Sequence, residues 1–334
     1  MKKHDILLLY PSTVDVILEI EGTFPIEGGT SRQVIDSRME PGGEGNLLLV
    51  FNRLGGNMLP TGPIGDDYRA DFLRGVLEKE GIDMSAMRVV QGFVPPVAHC
   101  IIDAEGTHSF VSSLNSTKYA EDVEVLKYLK ECRGMYLGGY YLIDPEEPFY
   151  ALSRMLARHA VKLGLPIFFD PGPLAAQITP EAMEQVYRDC TVLCMNNTEA
   201  EALSGSSVPE EAAEILCTKT QALVIIKAGA YGCYVRQTGT QGKWYPGFRV
   251  RSVDSMGAGD SFLSALMYAW VNGADLDTCI LLANAAGAVK ASKYGTGTKV
   301  PTFDEMVAIL EKNGYNVPEE CINTRTFATL RIGN

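Results

Sequence analysis

The chain has 334 residues, of which 46% are hydrophobic, enough for one large domain with a sizeable core. Its 41 acidic and 29 basic residues give a net charge of −12, and no dense Lys/Arg run offsets it, so we expect no nucleic-acid partner. The eight cysteines have no close C-x-x-C pair and no histidine at zinc-ligand spacing. This predicts reduced core thiols rather than a metal site.

The first apolar run contains no targeting or membrane signal. Residues 6–11 are too few for the apolar region of a signal peptide and far too few for a membrane span. We therefore expect a cytoplasmic protein without a membrane partner.

Short apolar runs alternate with helical patterns along most of the chain. Helical patterns cover 148–164 and 180–189. The alternation predicts an α/β fold, in which a mostly parallel central sheet lies between two helical layers in a three-layer α/β/α arrangement. Runs typical of buried strands lie at 6–10, 134–137, 165–170, 192–195 and 222–226.

Two regions interrupt this alternation. Segments 14–38 and 97–113 are rich in β-branched and aromatic residues, contain glycine turns and lack a helical pattern. They predict hairpins of a separate small sheet. Residues 314–334 show no clear periodicity and receive no assignment.

The most informative stretch is DSMGAGDS at 254–261, which places a small-residue turn and a carboxylate before a long apolar helical pattern. Free N–H groups in the first turn of a helix attract an anion, and small residues let the anion approach the backbone. Asp260 could then accept the proton of an attacking hydroxyl, which favours phosphoryl transfer. The alternative is that Asp260 only offsets the helix dipole. The turn consists of Gly257, Ala258 and Gly259.

This stretch resembles the C-terminal signature of the ribokinase-like (PfkB) carbohydrate and nucleoside kinases. The segment PGGEGN at 41–46 resembles the family's N-terminal glycine signature, about 210 residues earlier. Two signatures in the family's order are more specific than either alone. The resemblance covers roughly residues 5–312 and implies an ATP-dependent kinase that uses magnesium (Mg2+).

The resemblance also implies a division of the chain. The small sheet would be a β-lid that closes over the acceptor and excludes water, and in some relatives it forms a homodimer contact. The predicted units are a large α/β domain at about 1–12, 40–95 and 114–312, a β-lid at about 13–39 and 96–113, and an unassigned tail at 313–334.

Four residues are the candidate acceptor site. Asp15 follows the first strand where a family member carries an aspartate that binds sugar hydroxyls, although a surface turn would also explain it. Gly42, Gly43 and Asn46 open a helix to which a polyhydroxy ligand can come close. One residue fewer separates the glycine pair from Asn46 than in ribokinase, which weakens the case for ribose.

On the nucleotide side, Asn196 and Glu199 resemble the family's N-x-x-E element. There the glutamate organises magnesium and phosphate, usually through water, because magnesium retains much of its hydration shell. The same four residues could instead form a helix capping box.

A second nucleotide element follows the strand at 222–226. Gly229 and Gly232 match a family loop that lets the nucleotide come close, and Lys227 could pair with ATP phosphates or be solvated. Asn284 corresponds to a residue beside the adenine, although packing of small helix residues explains its segment equally well.

Asp254 is a candidate ligand for a monovalent cation, because some relatives are activated by potassium (K+). The carbonyl of Met256 would be a second ligand. The alternative is that Asp254 caps the turn.

Two other enzyme classes fail on their motifs. A P-loop requires Ser or Thr after Gly-Lys, whereas Trp244 follows Lys243, and no G-x-G-x-x-G follows the first strand. A catalytically inactive sugar- or nucleotide-binding protein is the alternative from a different class, but the intact Asp260 argues for an active kinase. We therefore expect phosphorylation of a hydroxyl, a primary one, on a small sugar or sugar acid, with a nucleoside as the alternative acceptor.

Overall fold

The computed structural model describes residues 2–113 and 124–331 and contains two β-sheets. The start of the predicted 114–312 segment, up to residue 123, lies outside the described residues, as do Met1 and 332–334. The strands in chain order are β1 (His4–Leu9), β2 (Val14–Ile20), β3 (Val34–Pro41), β4 (Met58–Ile64), β5 (Met87–Val89), β6 (Val97–Ile102), β7 (His108–Ser113), β8 (Cys132–Gly138), β9 (Ile167–Asp170), β10 (Val192–Asn196), β11 (Leu223–Lys227), β12 (Cys233–Arg236) and β13 (Lys243–Tyr245).

The larger sheet has nine strands in the order β13-β12-β11-β10-β9-β8-β1-β4-β5. The strands from β5 across to β11 run parallel. Only β12 runs in the opposite direction to the rest of the sheet, so it is antiparallel to both β11 and β13. The parallel strands are nearly continuous apolar runs because helices cover both faces of the sheet. The helices are α1 (Gly45–Arg53), α2 (Tyr68–Lys79), α3 (Val125–Leu129), α4 (Pro148–Lys162), α5 (Pro180–Asp189), α6 (Asn197–Ser204), α7 (Pro209–Cys217), α8 (Ala258–Val271), α9 (Leu276–Ala291), α10 (Phe303–Lys312) and α11 (Glu319–Thr324).

The alternation of side chains along β1 separates two hydrophobic cores. Ile6 and Leu8 lie in one core with residues of α1, α8, α9 and α10. Leu7 and Leu9 lie in the other with residues of α3, α4, α5 and α7. Successive side chains of a strand point to opposite faces, so the sheet is the middle of three layers. The predicted α/β/α fold is confirmed.

Predicted and observed elements differ mainly at their ends. Helix α4 stops two residues before predicted Gly164, because Gly164 adopts a left-handed backbone (φ 66°). The N–H of Leu165 then bonds to the carbonyl of Ala160 and closes the helix end. The strand predicted from 165 therefore begins at Ile167.

The smaller sheet has the order β3-β2-β6-β7 and confirms the expectation of a separate small sheet. Strands β2 and β6 pair in parallel at its centre, and each forms an antiparallel hairpin with its outer neighbour. Ile17, Cys100 and Ile102 of this sheet form a small core against Met256, just before α8. The second sheet therefore contacts the loop that leads into the glycine turn.

The C-terminal segment packs onto the large core. It contains α11, and four of its side chains are buried: Val317, Cys321, Phe327 and Leu330. The N–H of Phe327 donates to the Tyr268 hydroxyl at 3.0 Å. The sequence showed no periodicity here because the buried residues come from one short helix and irregular chain on either side of it.

All eight cysteines are buried and free, as predicted for core thiols. None of the described helices combines the length and the apolar content that a bilayer crossing requires.

We expect Phe327→Ala to lower the free energy of unfolding by about 3–5 kcal/mol, because Phe327 is 2% exposed and its ring centre lies 4.5 Å from that of Phe303. The matched control is Ile322→Ala, a residue of the same segment that is 41% exposed and should cost roughly 0.5 kcal/mol or less. Urea unfolding followed by circular dichroism measures both. Equal midpoints would show that the tail does not contribute to the core.

Candidate active site

Helix α8 begins at the predicted small-residue turn. Gly257 is its N-cap residue with φ 75°, a conformation that favours glycine, and no side chain caps the helix. The N–H of Ala258 donates to the Ser255 carbonyl at 3.0 Å. Within the described chain, no acceptor takes up the N–H groups of Gly257, Gly259 and Asp260. The free amide donors at this end are therefore those of 257, 259 and 260 rather than that of Ala258.

Asn46 joins the two sequence signatures. Its side-chain amide donates to Asp260 Oδ2 at 3.0 Å, and its Oδ1 accepts the N–H of Gly297 at 2.9 Å. Asn46 lies in the first turn of α1 and is buried. The structure thus brings together two residues that are 214 positions apart in the chain.

The Asp260 carboxyl has its pKa raised to about 6. Burial is the main cause, and the charge of Asp170 adds to it. The bond from Asn46 and the charges of Lys227 and Lys290 act in the opposite direction. Asp260 is therefore mostly ionised near neutral pH, with a proton affinity suited to a general base.

Lys227 and Asp170 form an ion pair beside the turn. They end β11 and β9, and Lys227 Nζ lies 3.1 Å from Asp170 Oδ2. Burial lowers the pKa of Lys227, but the charge of Asp170, with smaller contributions from Cys194, from Glu199 and from the hydrogen bond to Asp170, outweighs it, so the net shift is upward and Lys227 stays protonated. A Cβ on Gly259 would lie 3.2 Å from this ammonium group. Lys227 is therefore a largely buried cation, 12% exposed, next to the turn rather than a solvated side chain.

Asp170 was not identified from the sequence. It is an acidic residue at the carboxyl end of a parallel strand, where ligands bind in open α/β sheets. That position was the available signal, but no local motif marks the residue.

The Asn196 and Glu199 pair forms the capping box that was the alternative reading of this element. Asn196 Oδ1 accepts the N–H of Glu199 at 2.9 Å, and Glu199 Oε2 accepts the N–H of Asn196 at 2.7 Å. The pKa of Glu199 is nevertheless raised to about 7, first by burial and then by the charge of Asp170. The box therefore fixes Glu199 close enough to Asp170 for the two carboxylates to repel each other.

Among the candidate acceptor residues, Gly42 lies directly against Asp15. A side chain on Gly42 would overlap Asp15 Oδ1, so the glycine is required by this close approach. The next residue, Gly43, is exposed. Burial raises the pKa of Asp15 to about 7, and the charges of Asp260, Glu40 and Glu44 add to the shift.

Glu44 is a second residue that sequence reasoning did not assign to the site. It lies inside the glycine signature and is buried. Burial raises its pKa to about 7, although a hydrogen bond with the Tyr141 hydroxyl opposes the shift. Its position between the predicted glycines and Asn46 was the sequence feature that could have identified it as a site residue.

The remaining nucleotide residues lie apart from this cluster. Gly232 (φ 97°) lies against the backbone at Tyr245, and Gly229 is on exposed backbone. Asn284 on α9 donates to the Pro246 carbonyl at 3.4 Å. No hydrogen bond among the described residues links these three to Asp260.

Asp254 holds the loop that precedes the turn. Its carboxylate accepts the N–H groups of Met256 and Gly295, each at 2.9 Å, and its carbonyl accepts Lys290 Nζ at 3.2 Å. His108 of the second sheet lies 3.9 Å from Asp254 Oδ1. These contacts are those of the turn-capping alternative, and a monovalent cation held by Asp254 stays a prediction.

Magnesium fits the donor chemistry of Asp170, Glu199 and Asp260, because it prefers oxygen ligands. Among the described residues, however, no three acidic, histidine or cysteine side chains form a metal-binding group. A magnesium ion here would therefore depend mainly on water and phosphate oxygens.

Comparison with known proteins finds relatives among sugar and nucleoside kinases. The model of the pfkB family carbohydrate kinases matches residues 9–303. The chain is similar to fructokinase-2 of Solanum lycopersicum, with 27% identity over 81% of this chain and 87% of the relative. It is also similar to a nucleoside kinase of Methanothermobacter thermautotrophicus, with 26% identity over 94% of this chain and 98% of the relative.

Solved structures show the same fold. Arabidopsis thaliana ribokinase complexed with ribose and ATP superposes with a TM-score of 0.79 at 19% identity, over 92% of this chain and 99% of that one. Since the family match spans most of the chain and the two signatures meet at the start of α8, this chain belongs to the pfkB family of carbohydrate kinases.

Proposed function

We propose that this kinase transfers the γ-phosphoryl group of ATP to a hydroxyl, a primary one, of a small neutral sugar. The observation that carries the proposal is the bond between Asn46 and Asp260 beside free N–H groups at the start of α8. This arrangement supports a site in which the Asp260 carboxylate, the acceptor and the anion-binding turn lie next to one another.

In this mechanism Asp260 takes the hydroxyl proton as the oxygen attacks the phosphorus. Asp15, Gly43 and Asn46 orient the acceptor, and the amides of 257, 259 and 260 stabilise the negative charge of the transferred group. Lys227 lies next to the turn and adds positive charge. Magnesium, when bound, neutralises phosphate charge, and Glu199 and Asp170 are the residues that would hold it through water.

The charge of the acceptor site favours a neutral substrate over a sugar acid. Asp15, Glu44 and Asp260 each have a pKa raised by burial and by neighbouring acidic groups. A carboxylate on the acceptor would add another negative charge to this low-dielectric site. A polyhydroxy acceptor instead donates hydrogen bonds to these oxygens.

A nucleoside is the second candidate acceptor. The observation in its favour is the similarity to a nucleoside kinase over 94% of this chain, which reaches beyond the 81% covered by the fructokinase match.

Two further expectations are part of the proposal. The second sheet would act as a lid, which its contact with Met256 supports. It would also form a homodimer contact, and its exposed apolar side chains support this: Val34, Ile35, Phe110 and Val111. A cytoplasmic location stays a prediction.

We expect Asp260→Asn to lower kcat by about a hundredfold or more with a modest change in the KM for ATP, since a general base contributes about that much. Release of ADP with the best acceptor is the measurement. The control is Asp304→Asn, whose side chain is 72% exposed on α10. Equal kcat in wild type and Asp260→Asn would contradict the role, and wild type without activity on any acceptor would favour an inactive binding protein.

The pH dependence should follow the two charges beside Asp260. Wild-type kcat/KM should fall as pH drops through about 6, because Asp260 becomes protonated. Lys227→Met removes a charge that lowers the pKa of Asp260, so the acid limb should move to higher pH, by about one unit. Asp170→Asn removes a charge that raises this pKa, so the limb should move to lower pH.

The control for these pH profiles is Lys243→Met, which removes an exposed lysine paired with Asp277. The electrostatic assignment would be contradicted if the acid limbs of Lys227→Met and Asp170→Asn moved in the same direction, or if neither moved.

A matched pair of acceptors tests the preference for neutral substrates. Fructose and 2-ketogluconate differ by a carboxylate in place of one hydroxymethyl group. We expect kcat/KM for the neutral sugar to be higher by about tenfold or more, which corresponds to about 1.4 kcal/mol of charge repulsion. A higher kcat/KM for the sugar acid would contradict the argument from charge. A panel extended to ribose and adenosine separates sugar from nucleoside acceptors.

A further inference from the structure

Lys290 is a buried cation that the proposed phosphoryl-transfer steps do not use. It lies near the end of α9 and is 0% exposed. Its Nζ donates to two main-chain carbonyls, those of Asp254 at 3.2 Å and Lys293 at 3.3 Å. No carboxylate of the described chain lies within ion-pair distance of it. Burial of a charge without a paired counter-ion is costly, so this ammonium group needs an explanation.

The contacts of Lys290 are those of a bound monovalent cation. Backbone carbonyl oxygens are ligands that replace the hydration shell of potassium in proteins. Here they are supplied by the start of the loop before α8 and by the chain that follows α9. The ammonium group therefore bridges two segments that are also joined by hydrogen bonds from the N–H groups of Val253 and Asp254 to the Ala291 carbonyl.

The same two segments are tied a second time by the Asp254 side chain. It accepts the N–H of Met256 within the loop and the N–H of Gly295 after α9. Because the backbone of Asp254 is held from both sides, the path of the loop into Gly257 is fixed. Lys290 is in this sense a positioning residue for the turn.

We propose that the ammonium group of Lys290 is a built-in monovalent cation beneath the anion-binding turn, and that this kinase does not require potassium. The proposal rests on the proposed role of the 257–259 turn. It replaces the sequence-based expectation of a potassium ion at Asp254, because a tethered cation already binds the main-chain carbonyl of that residue. A tethered cation is bound at any salt concentration, whereas a free ion must be present in solution.

The first test is a salt series on the wild-type enzyme. The rate of ADP release and the melting temperature are measured in potassium, sodium and tetramethylammonium chloride at one ionic strength. We expect rates that agree within about twofold, since no effector site is coupled to activity. Activation by potassium of about fivefold or more, the usual size of an effector's coupling, would overturn the proposal.

The second test removes the ammonium group. Lys290→Ala leaves space next to the carbonyl oxygens, so in tetramethylammonium it should lose about tenfold or more in rate and melt at lower temperature. Potassium or ammonium should restore both. Lys290→Met fills the space with apolar atoms and should show the loss without the restoration.

The control variant is Lys293→Ala. It removes a nearby cation that binds the Val300 carbonyl and Glu305 but leaves the Lys293 carbonyl in place. We expect no dependence on potassium in this variant. Should Lys290→Ala fold in none of the salts, Lys290→Ser, which also leaves space next to the carbonyl oxygens, replaces it and is interpreted in the same way.

Two outcomes would overturn the proposal. One is a Lys290→Ala enzyme with the wild-type rate and melting temperature in tetramethylammonium, because the charge would then be dispensable. The other is a loss that no monovalent cation restores, because Lys290 would then only fill space. The melting measurements need no acceptor, so they stand even if the proposed sugar kinase activity fails its own test.

Discussion

The repulsion among buried and partly buried carboxylates at the carboxyl edge of the large sheet is the constraint on which this site depends. Asp260, Glu199 and Asp170 act on one another through a medium of low dielectric, and the pKa of each of the first two is raised by the third. Lys227, at the end of β11, pairs with Asp170 at the end of β9 and offsets part of this negative charge. Sheet order brings these groups together, because β9, β10 and β11 end side by side.

This concentration of charge works against stability at neutral pH. Asp15, Glu44 and Glu199 have pKa values near 7 in the folded protein, well above the ordinary value of about 4 for carboxyl groups in an unfolded chain. The folded state therefore binds more protons than the unfolded state between about pH 4 and pH 7, so their contribution to stability is lost as pH rises through that window. A ligand that brings positive charge or hydrogen-bond donors relieves this cost, which makes binding and folding stability linked.

The sequence predicted the parts of the site that are local. The turn before α8 and the glycine pair are continuous segments, so their form follows from residue types at fixed spacing. The sequence did not identify Asp170 or Lys290, because each acts through a partner far away in the chain: Lys227 is 57 residues from the first, and Asp254 is 36 from the second. A lysine at the end of a helix looks solvated in a sequence, and only tertiary packing buries it.

The second sheet is coupled to the turn from two directions. Cys100 packs its sulfur 3.6 Å from that of Met256 on one side. On the other, Glu40 at the end of β3 accepts the N–H of Thr298 at 2.9 Å, close to the segment that bonds Asn46 through Gly297. Asp15 is on the same sheet. Under the proposed function, an acceptor bound by Asp15 would therefore act on both the Cys100–Met256 and the Glu40–Thr298 contacts through that sheet. Acceptor binding would then tighten the loop before α8 as it brings the hydroxyl to Asp260, and water would be excluded at the step where it competes with the acceptor.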